Sequence, residues 1–233
     1  MSEQQLIENP ALVDYKRVAR HFYLAIPLYI LVPVGYALGF RYAGIPVHWA
    51  SFGFGTAGWM IALMLRAPIA LLLKKTSKER AATIIGAASG PLEEGVRLAV
   101  LLFAGLSFQS AASIGQGWAA VEVLFTVVNG VVLAIMLVRT DEKSMQVKEV
   151  LENSGNLNQS PLLGVSERIF ASAFHIGSTL LIAHNLWMVA VLIPAHSVFN
   201  LLTVRLVKKS AIGAEVFVAA CGLTAFLAGI ALF

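Results

Sequence analysis

The sequence is poor in charge and nearly free of cysteine, and each scarcity excludes a class of protein. Charged residues make up 13% of the 233 residues and hydrophobic residues 58%, whereas soluble domains carry about 25% charged residues. Such a chain cannot cover itself with a wettable surface, which excludes an ordinary soluble domain, a disordered tail and a coiled coil. The single cysteine, Cys221, excludes an intrachain disulfide. The remaining class is an integral membrane protein, and the length suits one compact helical bundle.

Seven stretches are long and apolar enough to cross a bilayer, which takes about 20 mostly apolar residues per helix. We therefore predict an all-α, polytopic membrane bundle of about seven transmembrane helices, forming a single domain over residues 1–233. The predicted spans are 22–40, 49–73, 82–106, 111–138, 169–183, 187–207 and 211–233.

The basic residues predict how the bundle is oriented. Most of the 17 Lys and Arg residues fall in four segments that lie on one side of a seven-helix bundle. The positive-inside rule then places the N-terminus in the cytoplasm and the C-terminus outside. Because topology explains the basic excess, we expect lipid rather than nucleic acid as the partner of these loops. The four segments are the arm 1–21, the connection 74–81, the loop 139–168 and the connection 205–209.

The two polar segments of the chain also carry expectations. Acidic residues precede the basic cluster of the arm, which argues against a signal peptide. Together with the short loops, this favours a prokaryotic inner membrane. Residues 6–20 could form an interfacial helix. In the long loop, residues 153–161 are expected to be flexible, with a short charged helix before them.

Several ionisable residues fall inside the predicted spans, where each costs about 2.5–3.5 kcal/mol at the bilayer centre. Residues kept at that cost are either paired or functional, so these positions are the candidate site. No Asp lies in any span, which excludes an aspartyl-dyad protease. Glycine-rich phosphate loops and CxxC motifs are absent as well. The residues at membrane depth are Arg66, Glu93, Glu94, Arg97, Glu122, His175 and His196, with the amides Asn129 and Asn200.

The third span carries two adjacent carboxylates one helical turn before an arginine. Arg97 is four residues after Glu93 and three after Glu94, so both carboxylates can lie beside its guanidinium. One arginine cannot neutralise two glutamates. The spacing therefore leaves one carboxylate for a metal, a water molecule or a shifted protonation equilibrium. The alternative is a purely structural ion pair with one protonated glutamate.

Histidines on the fifth and sixth spans lie at matched depth. His175 is seven residues from the basic edge of its span and His196 is nine, or roughly 10 Å and 13 Å from the same side. Asn200 is one turn from His196, and Glu122 lies on the fourth span. Imidazole nitrogen and carboxylate oxygen suit Zn²⁺, which would lower the pKa of a bound water. The spacing thus predicts a zinc-dependent hydrolytic site, with bonded core histidines as the alternative.

The order of these motifs resembles the YhfC family, which is grouped with PrsW, the type II CAAX prenyl proteases (the CPBP or Abi group) and the Aph subunit of gamma-secretase. The resemblance covers residues 83–205 and rests on the strings GPLEEGVR, ending at Arg97, and RIFASAFH, ending at His175. Trp118, four residues before Glu122, is similar to the aromatic residue of the PrsW motif. CAAX proteases have one more residue between the acidic pair and the arginine, and His at the position of Glu122.

The resemblance implies a four-helix catalytic core over 83–205 that hydrolyses a peptide bond of a membrane-embedded or membrane-proximal substrate. Glu93 or Glu94 would activate water, and Arg97 would hold the pair. The metal or catalytic shell would be completed by Glu122, His175, His196 and Asn200. Two alternatives stay open: an Aph-like scaffold without activity, and an ion-coupled transporter, for which the sequence lacks an inverted repeat.

Overall fold

The computed structural model describes residues 13–153 and 159–233, and every regular element in these two ranges is a helix. Residues 6–12 of the predicted interfacial helix and residues 154–158 of the predicted flexible segment lie outside this description. The helices of the described residues are α1 (Tyr15–Tyr42), α2 (Trp49–Met64), α3 (Arg66–Leu72), α4 (Lys78–Ala104), α5 (Phe108–Val138), α6 (Glu142–Asn153), α7 (Pro161–His184), α8 (Met188–Val207) and α9 (Ala211–Leu232).

Five helical stretches of the described chain are long and apolar enough to span a membrane, as the composition predicts. These stretches coincide with the first, second, fourth, sixth and seventh predicted spans. The third and fifth predicted spans are long helices too, α4 and α7, but they are more polar. The five apolar stretches are Tyr15–Tyr42, Trp49–Leu72, Phe108–Val138, Met188–Val207 and Ala211–Leu232.

Two helix boundaries differ from the predicted ones. The second span is broken at Leu65, so that the seven-residue helix α3 follows α2 as a separate segment and has no buried residue. The predicted loop 139–168 contains α6, the expected short charged helix, but its last eight residues already belong to α7. Ser160 caps α7 by accepting a hydrogen bond from the Leu162 backbone N–H.

Helix α7 forms the centre of the bundle. Residues 171–183 are buried without interruption, because α7 packs against α9, α5, α1, α4 and α8. Its closest neighbour is α9, which it approaches through glycines on both helices. A Cβ atom at Gly177 would run into the backbone of Ala225, and one at Gly222 into the backbone of Phe170. Small residues at such crossings let two membrane helices touch along their backbones.

A hydrogen bond connects α4 and α8 one turn before a proline of α4. Pro91 lies inside α4 and has no N–H, so the carbonyl of Ala87, four residues earlier, has no donor within the helix. The Ser197 hydroxyl of α8 donates to this carbonyl at 2.7 Å. At Gly90 a Cβ atom would collide with the Ile193 carbonyl. The close approach of α4 and α8 sets the distance between the acidic pair and His196.

Candidate functional site

Three carboxylates and three arginines pair inside the bundle. Arg66 comes from the start of α3, and Arg168 from the second turn of α7. The expectation of a carboxylate left over is therefore not met, because Arg66 reaches across from another helix. Arg168 is shared, because it also pairs with the partly exposed Glu167. Pairing with a cation reduces the cost of burying each carboxylate. The pairs are Glu93 with Arg66, Glu94 with Arg97 at 2.9 Å, and Glu122 with Arg168 at 2.6 Å.

Arg97 is fully buried and is bound through all three guanidinium nitrogens. Nε donates to Oε2 of Glu94 at 2.9 Å, and Nη2 to Oε1 at 3.3 Å. Nη1 donates to the Thr179 hydroxyl at 2.7 Å and to the His175 carbonyl at 3.1 Å. Nη2 also lies 3.0 Å from Nδ1 of His175. The guanidinium carbon sits 4.2 Å from the centre of the Trp118 ring. Arg97 thus ties α4 to α7 and α5.

Glu122 is bound by side chains from two other helices, α7 and α2. Arg168 donates to its Oε1, while His175 Nε2 lies 2.6 Å from its Oε2. The Trp59 indole N–H of α2 donates to Oε2 at 3.2 Å. The carboxylate is held by one arginine, one histidine and one tryptophan.

Glu93 has the same three kinds of neighbour. It pairs with Arg66, accepts a hydrogen bond from the Trp118 indole at 3.3 Å, and has Nε2 of His196 3.8 Å from its Oε1. Arg66 is the loosest of these neighbours: its side chain is 26% exposed, and its buried Nε has no hydrogen-bond partner among the described residues. Glu93 is therefore less enclosed by donors than Glu122.

His196 is oriented by the fully buried Glu94. Nδ1 of the imidazole lies 2.6 Å from Oε1 of Glu94. Since a carboxylate bound by Arg97 accepts, Nδ1 carries the proton and Nε2 keeps a lone pair in the neutral ring. The rings of His175 and His196 have their centres 5.5 Å apart, so the two histidines meet as the matched depth predicts.

Asn200 stands apart from the histidines. Its amide nitrogen donates to the Ser89 hydroxyl at 2.7 Å, and that hydroxyl donates in turn to the Gly86 carbonyl. The residue borders the same cavity as His196. Its amide is engaged in joining α8 to α4, rather than directed at the histidines.

A cavity of about 750 Å³ connects these groups. Glu93, Glu122, His175 and His196 lie on its wall, and most of the remaining wall is apolar, including Phe22 and Leu133. A mostly apolar cavity with a few convergent polar groups is the usual form of a small-molecule or substrate site. The arrangement can position a polar bond of an otherwise apolar molecule against two carboxylates and two imidazoles.

Distances alone allow a metal ion in this cavity. Glu93, Glu122 and His175 each place one ligand atom within 4.8 Å of the others, a set that includes Glu122 and His175 from the prediction. The hydrogen bonds disagree with such an ion. A ring that ligates through Nε2 carries its proton on Nδ1 and donates it, but Nδ1 of His175 faces the donor Arg97. The residues therefore do not fit a zinc ion held by His175.

Sequence reasoning missed Arg168 and Trp59, and it gave Arg66 no partner. Arg168 marks the basic edge of a predicted span. Trp59 lies in an apolar helix, where nothing in the sequence distinguishes it from an ordinary aromatic residue. Arg66 stood out only as an isolated charge at membrane depth. No residue spacing links these positions to Glu93 or Glu122, because each contact joins distant parts of the chain.

Comparison with known proteins gives no relative. No family model matches the chain, and neither a curated protein nor a solved structure is significantly similar to it.

Proposed function

We propose that this protein is an intramembrane hydrolase that cleaves a peptide bond of a membrane-embedded or membrane-proximal protein or peptide. The observation that carries the proposal is the convergence of Glu93, Glu122, His175 and His196 on one largely apolar cavity. Groups of this kind can activate water and transfer protons. The resemblance of the motif order to the YhfC and PrsW families supports the same reaction.

Glu93 is the proposed general base. It is the carboxylate of the acidic pair on the cavity wall, and Trp118 and Arg66 orient it. Water would give a proton to Glu93 as its oxygen adds to the substrate carbonyl carbon. The proton would then pass to the leaving amine as the carbon–nitrogen bond breaks. Glu94 is the supporting member, because it is fully buried behind the cavity wall and is held there by Arg97 and His196.

The two imidazoles, whose ring centres lie 5.5 Å apart, would have different roles. His196 directs its unprotonated Nε2 toward Glu93, where it can accept a hydrogen bond from the attacking water. His175 lies against Glu122. No step is assigned to a metal ion, because the hydrogen bonds around His175 do not fit one.

The proposal includes the membrane topology that the basic residues predict. Seven spans would place the N-terminus in the cytoplasm and the C-terminus outside, in the inner membrane of a prokaryote. Helices α4 and α7 would be the two more polar spans, and residues 171–183 of α7 would be shielded from lipid by the helices around them. A substrate could then reach the cavity from the bilayer, with its apolar part against residues such as Phe22.

An Aph-like scaffold is the second candidate. Its supporting observation is the complete pairing of Glu93, Glu94 and Glu122 with arginines, because a closed network needs no substrate to be stable. A scaffold would bind partner helices without hydrolysis.

Identification of new protein termini in cell membranes tests the proposal. Membranes from cells producing the wild type would be compared with those producing Glu93→Gln, which keeps the size of the side chain but removes the base. We expect termini inside or next to membrane segments that occur with the wild type only. Glu149→Gln is the matched control, since Glu149 is an exposed glutamate of α6, and it should behave as the wild type.

The comparison is valid when all three proteins reach the membrane in equal amounts and show the same thermal unfolding. Identical sets of termini for the wild type and Glu93→Gln would refute hydrolysis. The scaffold and the ion-coupled transporter would then remain, and co-purification of the same partners with both proteins would support the scaffold.

A further inference from the structure

The hydrogen bonds of Arg97 determine which nitrogen of His175 carries the proton. A guanidinium has five N–H donors and no acceptor. Glu94 takes two of these donors, and the Thr179 hydroxyl and the His175 carbonyl take two more. The fifth, on Nη2, points at Nδ1 of His175 at 3.0 Å. Every donor of this fully buried arginine therefore has an acceptor only if Nδ1 is unprotonated.

We infer that Arg97 is a positioning residue that holds His175 neutral with its proton on Nε2. A proton on Nδ1, in either the other tautomer or the imidazolium, would set two N–H groups against each other at 3.0 Å, between a fully buried guanidinium and a ring that is 5% exposed. Unpaired donors at such a site cost free energy. The Nε2 proton is matched instead by Oε2 of Glu122, which lies 2.6 Å away.

The two histidines therefore carry opposite tautomers. His196 presents a lone pair on Nε2 to the cavity, because its Nδ1–H is donated to Glu94, whereas the Nε2–H of His175 is donated to Glu122. On the proposed function, His196 is the imidazole that accepts a hydrogen bond from the attacking water, and the His175–Glu122 pair is a fixed part of the cavity wall. This role rests on the proposed function, but the tautomer does not.

Nitrogen-15 NMR of histidine-labelled wild type in lipid nanodiscs measures the tautomer directly. The protein has five histidines, so the His175 signals are assigned by their loss in His175→Gln. We expect a protonated Nε2 and an unprotonated Nδ1 for His175, and the reverse for His196. A protonated Nδ1 at His175 would overturn the inference, whatever the activity.

Arg97→Met tests whether the arginine sets the tautomer. With the donor removed, the His175 signals should move to a mixture of tautomers or to the Nδ1-protonated form. Thr179→Val is the matched control, because it removes another partner of the same guanidinium and leaves the contact with Nδ1 in place. An unchanged tautomer in folded Arg97→Met would overturn the positioning role. If Arg97→Met does not fold, the wild-type spectrum still decides the tautomer.

Zinc content provides a second readout that does not depend on hydrolysis. After dialysis against Zn²⁺, wild type and His175→Gln should retain equal amounts of zinc, because the lone pair of His175 lies on Nδ1 and is already engaged by Arg97. Stoichiometric zinc in the wild type that disappears in His175→Gln would overturn the inference. Failure of the cleavage experiment with the expected tautomer would instead refute the proposed function alone.

Discussion

Removal of Arg97 should destabilise the bundle more than any surface substitution, and the size of the effect follows from its contacts. Arg97 and Glu94 are both fully buried. Arg97→Met leaves a carboxylate without its cation and also removes the bonds to Thr179 and His175. Breaking one side of a buried ion pair costs about 3–5 kcal/mol. We therefore expect the free energy of unfolding to fall by about that amount.

The double variant Glu94→Gln/Arg97→Met provides the sharper test. An amide at position 94 needs no cation, and its oxygen can still accept the Nδ1 proton of His196. The double variant should therefore be more stable than Arg97→Met by about 1–3 kcal/mol, in the range measured for directly interacting residues. If adding Glu94→Gln to Arg97→Met restores stability, the loss in Arg97→Met comes from the uncompensated charge of Glu94.

Unfolding by sodium dodecyl sulfate in mixed micelles, followed by tryptophan fluorescence, measures these differences. Arg205→Met is the control, since Arg205 is exposed on α8 and should change stability by less than about 0.5 kcal/mol. A loss below 1 kcal/mol for Arg97→Met, or a double variant less stable than Arg97→Met, would contradict the argument.

Two further substitutions test the contact between α4 and α8. Gly90→Ala should lower the free energy of unfolding by about 1–3 kcal/mol through overpacking. Its control is Gly95→Ala, at an exposed position with open space around it, which should be neutral or stabilise the helix by up to about 1 kcal/mol. Equal shifts of the unfolding temperature for both variants would refute the close approach at Gly90. Ser197→Ala should cost about 1–3 kcal/mol, because the Ala87 carbonyl loses its donor. Wild-type unfolding in Ser197→Ala would show that this hydrogen bond is not needed.

The helical spans and the meeting of the histidines could be predicted because both depend on distance along a helix. Because the helical rise per residue is constant, the distance along the sequence gives the depth of a residue in the membrane. His175 and His196 could therefore be expected at the same depth. Their ring contact is confirmed. The general membrane character follows from composition alone, since 58% hydrophobic residues leave no soluble alternative.

The charge pairs could be predicted only in part. The spacing allows Arg97 to pair with either Glu93 or Glu94. Successive residues of a helix point about 100° apart, and in the structure Arg97 pairs with Glu94. The partner of Glu93 is Arg66, which reaches it because the second span breaks at Leu65. The break itself has a local cause, because Pro68 has no N–H to bond the Met64 carbonyl. The contact between Arg66 and Glu93 could not be predicted, because it joins distant parts of the chain.

The buried position of α7 has a consequence for how the protein is made. A helix that is less apolar than its neighbours gains little by entering lipid alone, so its insertion depends on helices that cover it. Its most extensive neighbour, α9, lies later in the chain. Synthesis therefore reaches α7 before the surface that shields it exists. On the proposed topology, we expect α7 to settle in the membrane only after α9 has left the ribosome, so that α9 completes insertion as well as packing.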